Sequence, residues 1–182
     1  MQLIFGLAEQ TRCDAFGYFD IDHNGLLDPS GIVKGWAIHN AAKLLQQQGY
    51  ENFYVDAGGD AQVVGKNAQC ENWRVGIRNP FNIHEIVKTV SLTDCGIATS
   101  GSYIRGNHIY NPLQSSDPLD EILSITVIGP NIYEADRFAT AAYAMGRAGI
   151  RFIESLHGFE GYMIDRNGQA TLTTGFSAYC VL

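Results

Sequence analysis

Asp136 and Thr140 stand four residues apart in Ala135-Asp136-Arg137-Phe138-Ala139-Thr140. On a helix that spacing puts both side chains on one face a turn apart, so a carboxylate and a hydroxyl present two hard oxygens together. Such donors suit Mg²⁺, which takes few protein ligands and fills its octahedron with water or substrate phosphate. The same spacing also serves a surface Asp beside a core-facing Thr. His108 lies in the polar run Arg105-Gly106-Asn107-His108-Ile109-Tyr110-Asn111-Pro112. A neutral imidazole there can take a proton from an attacking hydroxyl near neutral pH, or simply sit solvated in a loop. Upstream, Ala98-Thr99-Ser100-Gly101-Ser102-Tyr103 reads as a hydroxyl-rich turn able to donate hydrogen bonds to a phosphate. Lys34, near the start of a helix, is placed to meet an anion that free backbone N–H groups and the helix dipole also favour.

One motif misleads. Asp20-Ile21-Asp22-His23-Asn24-Gly25 resembles the opening of a calcium loop, with oxygens at positions 1, 3 and 5 and glycine at 6. The twelfth position is Gly31 instead of a bidentate Glu, and no amphipathic helix clearly enters before Asp20, so a polar turn is the better reading.

Positioning these residues requires a set of elements that the pattern supplies. The apolar stripe Val33, Ala37, Ala41, Leu44 and Leu45 predicts a helix from a Ser30 cap to about Gln48, stopped by Gly49. A second helix is expected from Asn131 to Gly146, where Asn131 and Glu134 have capping-box spacing, and a shorter one over 148–156. Strands are expected at 52–55 and 61–64 around the turn Asp56-Ala57-Gly58-Gly59-Asp60, then at 73–77, 86–92 and 122–128. A hairpin of 162–165 and 170–173 encloses Asn167-Gly168, the dipeptide suited to a tight primed turn, with a last strand at 178–181. The first fifteen residues show no clear period. Strands joined directly, with helices between others, predict an α+β fold: a single mixed-sheet domain over 1–182 with two main helices.

Composition narrows the function classes. At 182 residues, 46% hydrophobic and 17% charged, the chain can close a core and is neither a disordered tract nor a coiled coil. A formal net charge of -7 with no basic cluster opposes a nucleic-acid partner. Cys13, Cys70, Cys95 and Cys180 form no Cys-x-x-Cys; they fit buried thiols, or disulfides in an exported protein. No run of about 18 apolar residues predicts a membrane span, and residues 1–10 lack a basic leader or cleavage site.

Taken together and in order, the motifs resemble the FAD:protein FMN transferases, the ApbE-type flavin transferases. The collinear pieces are Gly17-Tyr18-Phe19-Asp20, Asp28-Pro29-Ser30-Gly31-Ile32-Val33-Lys34-Gly35-Trp36-Ala37, Asp56-Ala57-Gly58-Gly59-Asp60 and Trp73-Arg74-Val75-Gly76-Ile77-Arg78-Asn79-Pro80. Ile97-Ala98-Thr99-Ser100-Gly101-Ser102-Tyr103, His108-Ile109-Tyr110-Asn111-Pro112 and Ala135-Asp136-Arg137-Phe138-Ala139-Thr140 complete them. The similarity runs from about Phe16 to the C-terminus.

The resemblance implies an ApbE-like fold and Mg²⁺ held by Asp136, Thr140 and the backbone carbonyl of Gly31. It also implies an FAD site lined by Tyr18, Phe19, Asp20, Asp28 and Lys34 with backbone near Ile109, and His108 as general base. In such enzymes a Thr or Ser hydroxyl of an acceptor flavoprotein attacks the FMN-side phosphorus of FAD, and AMP leaves. A flavin-binding module without transfer, or metal-dependent FAD hydrolysis, are the alternatives. The similarity further suggests a bacterial protein, exported or held at the outer side of the cytoplasmic membrane, although no signal peptide is present. Two departures from the family pattern stand out: most of the usual N-terminal part is missing, and Asn111 replaces the Asp of the usual His-Ile-x-Asp-Pro.

Overall fold

The computed structural model describes residues 2–23, 25–101, 109–114, 119 and 121–181. The chain begins with helix α1 (Gln2–Asp14), followed by a small hairpin of β1 (Asp22–His23) and β2 (Leu26–Leu27). Helix α2 (Ser30–Gln47) leads into β3 (Phe53–Ala57), β4 (Asp60–Val64), β5 (Trp73–Asn79), β6 (Asn82–Leu92) and β7 (Cys95–Gly101). Strand β8 (Ile122–Gly129), helix α3 (Ile132–Ala144), a 3₁₀ turn (Gly146–Ala148), helix α4 (Gly149–Ser155), β9 (Glu160–Asp165) and β10 (Ala170–Leu172) complete the chain with a last 3₁₀ turn (Phe176–Tyr179).

Six strands form one sheet in the order β10-β9-β8-β7-β4-β3, every pair antiparallel. Both faces are covered. Helices α2, α3 and α4 close one face around Ile32, Ile125, Val127, Ile132, Phe138 and Ile153. The β5–β6 hairpin and the C-terminal 3₁₀ turn close the other around Val63, Ile77, Val90, Ile97, Ile128 and Phe176. This two-sided burial explains why β8 reads as an unbroken apolar run: Ile125 and Val127 pack toward the helices while Ile128 packs toward the hairpin. The α+β expectation holds.

Several local expectations are met by the geometry. Gly58 and Gly59, with φ of +69° and +98°, make the two-residue connection between β3 and β4, a backbone that L side chains avoid. Asn131 accepts a hydrogen bond from the Glu134 amide and caps α3.

Other expectations are corrected. Ser30 does not cap α2; it is the first helical residue, and Asp28 Oδ1 accepts its amide at 2.9 Å instead. Residues 98–101, read as part of a hydroxyl-rich turn over 98–103, belong instead to the inner strand β7, paired on both sides; 102 and 103 lie outside the described residues. Glycine and hydroxyls hide its strand character for good reason: a Cβ on Gly96 would lie 2.1 Å from the Ile132 nitrogen, where α3 begins. Thr99 and Thr126 hydroxyls bond each other across the ladder at 2.8 Å. The connection after β9 is not a primed two-residue turn, because only Gly168 has positive φ and Asp165 N bonds Gln169 O across a longer loop. The expected strand at 178–181 is a 3₁₀ turn plus a single bridge from Cys180 to Val90.

Helix α1 escaped the periodicity because its apolar residues are not confined to one face: Ile4, Leu7, Ala8 and Thr11 turn to the core, while Leu3 is 59% exposed on the other side. A polar latch holds it in place. Arg137 on α3, its side chain 8% exposed, pairs with Asp14 at 2.7 Å and Glu134 at 2.6 Å and stacks on the Phe138 ring. Removing the guanidinium takes away its packing on Phe138 and leaves two part-exposed carboxylates, Asp14 and Glu134, without their counter-ion. Arg137→Ala is expected to destabilise the fold by roughly 1–3 kcal/mol and to expose the Arg12–Cys13 bond, the one tryptic site in residues 2–14, first. Limited proteolysis with thermal unfolding checks this; an unchanged cleavage pattern would refute the latch.

Candidate functional site

The polar residues flagged above meet where the first turns of α2 face α3 and β7. Asp136 is 3% exposed on α3. Its Oδ2 accepts the Gly35 amide at 2.7 Å, and its Oδ1 lies 3.7 Å from the Lys34 ammonium. Only glycine fits at position 35, since a Cβ there would come within 2.6 Å of Asp136 Cβ and 2.9 Å of the Ile132 carbonyl. One turn along α3, Thr140 Oγ1 lies 3.3 Å from the Gly31 carbonyl and 3.4 Å from Ser100 Oγ. Gly31 is likewise crowded, with Thr140 Cγ2 and Phe19 Cε2 within 2.9 and 3.1 Å of a notional Cβ. A carboxylate, a hydroxyl and a carbonyl therefore share one corner.

Asp136, Thr140, Gly31 and Lys34 line a cavity of about 150 Å³ together with Tyr18, Phe19, Asp20, Asp28 and Ile109. Each is held by its own local structure. The chain turns out of α1 through Phe16 and Gly17, both at positive φ, so that Phe19 points into the core and Tyr18 and Asp20 face the cavity. Asp28 is fixed at the start of α2 by its bond to Ser30. Tyr110 carries the segment after position 108 against this wall, its hydroxyl 2.9 and 3.0 Å from the Asp20 and Asp22 carbonyls. All the expected site residues are thus brought together except His108, which lies outside the described residues.

Asp60 was not assigned a role from the sequence. It opens β4, is 2% exposed, accepts the Thr99 amide on Oδ1 at 3.0 Å, and forms an ion pair through Oδ2 with Lys34. Its place in the motif Asp56-Ala57-Gly58-Gly59-Asp60, directly before the apolar strand it heads, was the available signal. Thr99 and Ser100 also line the cavity, from β7 instead of the turn expected there. A second cavity, of about 520 Å³, shares Gly58 and Thr99 with the first and runs between Tyr54, Trp73, Arg74 and Arg78.

The electrostatics are lopsided. Two buried carboxylates, Asp60 and Asp136, share the single Lys34 ammonium, so one negative charge is left without a cation among the described residues. Burial, reinforced by the charge of Asp60, pushes the Asp136 carboxyl up to about 7 against the partial relief from Lys34. Burial also raises Asp60, again against Lys34. A divalent cation with a preference for hard oxygen fits this corner by both charge and donor set: Asp136, Thr140 and the Gly31 carbonyl supply three oxygens and leave room for water or phosphate.

The sign of the resulting pH dependence is fixed. With its folded value raised from 3.8 to about 7, the Asp136 carboxyl favours the fold fully below the lower value and loses that contribution as pH rises through the upper one. Asp136→Asn, neutral throughout, should therefore unfold at a higher temperature than wild type at pH 8 in EDTA. The gain should be roughly 1–3 kcal/mol, or about 2–4 °C per kcal/mol, and should vanish toward pH 4. Added Mg²⁺ should raise the melting temperature of wild type but not of the variant. Identical melting curves of the two proteins at pH 8 would contradict the charge imbalance.

The family model described as the ApbE family matches residues 8–163. A FAD:protein FMN transferase of Salmonella typhimurium is 31% identical over 157 residues, covering 81% of this chain and 45% of that protein. One from Vibrio cholerae is 33% identical over 129 residues, covering 66% of this chain and 39% of that protein. The chain therefore spans less than half the length of these curated relatives. Among solved structures, a flavin transferase ApbE from Vibrio cholerae superposes with a TM-score of 0.84 at 22% identity, covering 98% of this chain and 76% of that one. The ApbE protein of Thermotoga maritima gives 0.84 at 20% identity, covering all of this chain and 77% of its own. These two likenesses establish the fold.

Proposed function

The chain belongs to the ApbE family, and from that premise we propose that it transfers FMN from FAD to a Thr or Ser hydroxyl of an acceptor flavoprotein, with Mg²⁺ as cofactor and AMP as the other product. One observation carries the reading: the Asp136–Thr140–Gly31 corner and Lys34 line the same cavity as Tyr18, Phe19, Asp20, Asp28 and Ile109. The names of the curated relatives, FAD:protein FMN transferase, supply the reaction class.

In the proposed reaction the acceptor hydroxyl oxygen bonds to the FMN-side phosphorus while the bond from that phosphorus to the AMP oxygen breaks. The hydroxyl proton passes to a base and the leaving AMP carries away the bonding pair. Asp136, Thr140 and the Gly31 carbonyl would hold Mg²⁺, which when bound neutralises charge on the diphosphate oxygens and orients them. Lys34, reaching from the first turns of α2, meets the same developing charge, which the dipole of the helix also favours. Tyr18 and Phe19 give the cavity an aromatic wall, and Asp28 stays fixed by the Ser30 amide. His108 is the candidate base, supplied by the family resemblance and by its loop of polar residues.

A cavity of about 150 Å³ is small beside the 300–1,000 Å³ of typical ligand pockets, so it suits the diphosphate end of FAD, and the adjoining cavity leaves space for more of the substrate or the acceptor. The test mixes the protein with FAD, Mg²⁺ and a peptide bearing an acceptor threonine, and follows peptide mass and AMP release. One FMN gained per peptide is expected. Asp136→Ala should abolish metal-dependent turnover, and His108→Ala should slow transfer by about 10²–10⁴-fold while sparing FAD affinity. AMP without a modified peptide would make the protein a hydrolase, and intact FAD that co-elutes would make it a binding module.

A further inference from the structure

We infer that Asp60 is a positioning residue for this site: it acts through Lys34, holding the ammonium at the diphosphate corner without itself reaching the cavity that Lys34 lines. The inference rests on the reading that this cavity takes the diphosphate of FAD. Lys34 is a flexible four-carbon stem with its side chain 25% exposed, and left to itself such a side chain samples solvent. Asp60 is the opposite. It is set at the first residue of β4 by the two-residue Gly58–Gly59 connection, its side chain is 3% exposed, and Oδ1 is tied to the Thr99 amide of the neighbouring strand. Its remaining oxygen, Oδ2, is buried, and among the described residues the charge it meets is that of Lys34.

The carboxylate therefore draws the lysine from α2 toward the sheet. Asp136 Oδ1 lies 3.7 Å from the same ammonium on the α3 side. Asp60 is absent from the lining of the first cavity and borders only the second, which makes contact with the diphosphate indirect. Without Asp60, Lys34 would lose the nearer of its two carboxylates, and the farther one, Asp136, is the residue whose oxygens a cation would claim. Ordering the ammonium before substrate arrives lowers the entropic cost of binding it.

The experiment compares wild type, Asp60→Asn, Lys34→Met and the double variant for FAD affinity, read from flavin fluorescence in EDTA and again with Mg²⁺, alongside melting temperature. The asparagine can still accept the Thr99 amide, so Asp60→Asn should unfold no earlier than wild type. It should weaken FAD binding about tenfold or more, as loss of a hydrogen bond to a charged group does. In the Lys34→Met background the same change should alter affinity less than twofold. An equal loss in both backgrounds would overturn the inference by showing that Asp60 acts independently of the lysine, and so would unchanged affinity in the single variant.

A second readout judges the positioning apart from FAD. After reductive methylation with ¹³C-formaldehyde, the Lys34 NMR resonance, assigned from its loss in Lys34→Met, should be displaced from those of solvated lysines in wild type. It should join them in Asp60→Asn. A resonance that does not move between the two proteins refutes the inference. A wild-type protein that binds no FAD would refute the functional reading instead, while the lysine resonance still decides the role of Asp60.

Discussion

Two carboxylates, each at least 97% removed from water, share one ammonium, and the site is organised around that imbalance. Burying an ionised carboxylate is costly unless it is paired and hydrogen-bonded. One oxygen of each is accordingly supported by backbone: Asp136 Oδ2 by the Gly35 amide, Asp60 Oδ1 by the Thr99 amide. Those amides belong to α2 and β7, while the carboxylates belong to α3 and β4. The imbalance therefore cannot be relieved by moving one side chain; four elements would have to part. What remains is a fixed negative corner facing a cavity, with a hydroxyl and a carbonyl beside it, a setting that favours a cation.

The rest of the fold follows from the need to keep that corner dry and rigid. Gly35 and Gly31 let α2 approach α3 closely enough for amide and carbonyl to reach Asp136 and Thr140, and any larger residue would drive the helices apart. Gly96 does the same between β7 and the start of α3. Helix α3 serves two purposes with adjacent residues: Asp136 turns into the site, and Arg137 turns away to latch α1 through Asp14. The sheet beneath is covered on its far face by the β5–β6 hairpin, so β4 and β7 can carry Asp60, Thr99 and Ser100 in a buried layer.

Legibility varied with the kind of signal. Helix α2 was readable in extent but not in face, since Ile32, Gly35, Ile38 and Ala42 are buried instead of the expected Val33, Ala37, Ala41, Leu44 and Leu45. Helix α3, buried nearly all round, was readable from its Asn131 cap, and the Gly58–Gly59 connection because few other residues accept that backbone. Helix α1 was not, because apolar residues on its outer side blur the stripe of Ile4, Leu7 and Ala8, and part of its hold is a polar latch on a distant helix. Strand β7 was not, because its side chains were selected for close approach and for hydroxyl contacts, which mimic a turn in composition. The end at 178–181 looked like a strand from its apolar residues, yet it makes a single bridge, Cys180 to Val90, after a 3₁₀ turn.

From the residues alone came the helix that carries Asp136 and Thr140, the placement of Lys34 near a helix start, and, through the order of motifs, the family. These are local facts: spacing on one helix, a charge near one terminus, glycines in one turn. That Asp60 and Asp136 compete for the same lysine was decided only by tertiary structure. Their separation of 76 positions gives no local pattern, and they meet because an antiparallel sheet brings β4 beside β7 while α2 and α3 pack across it.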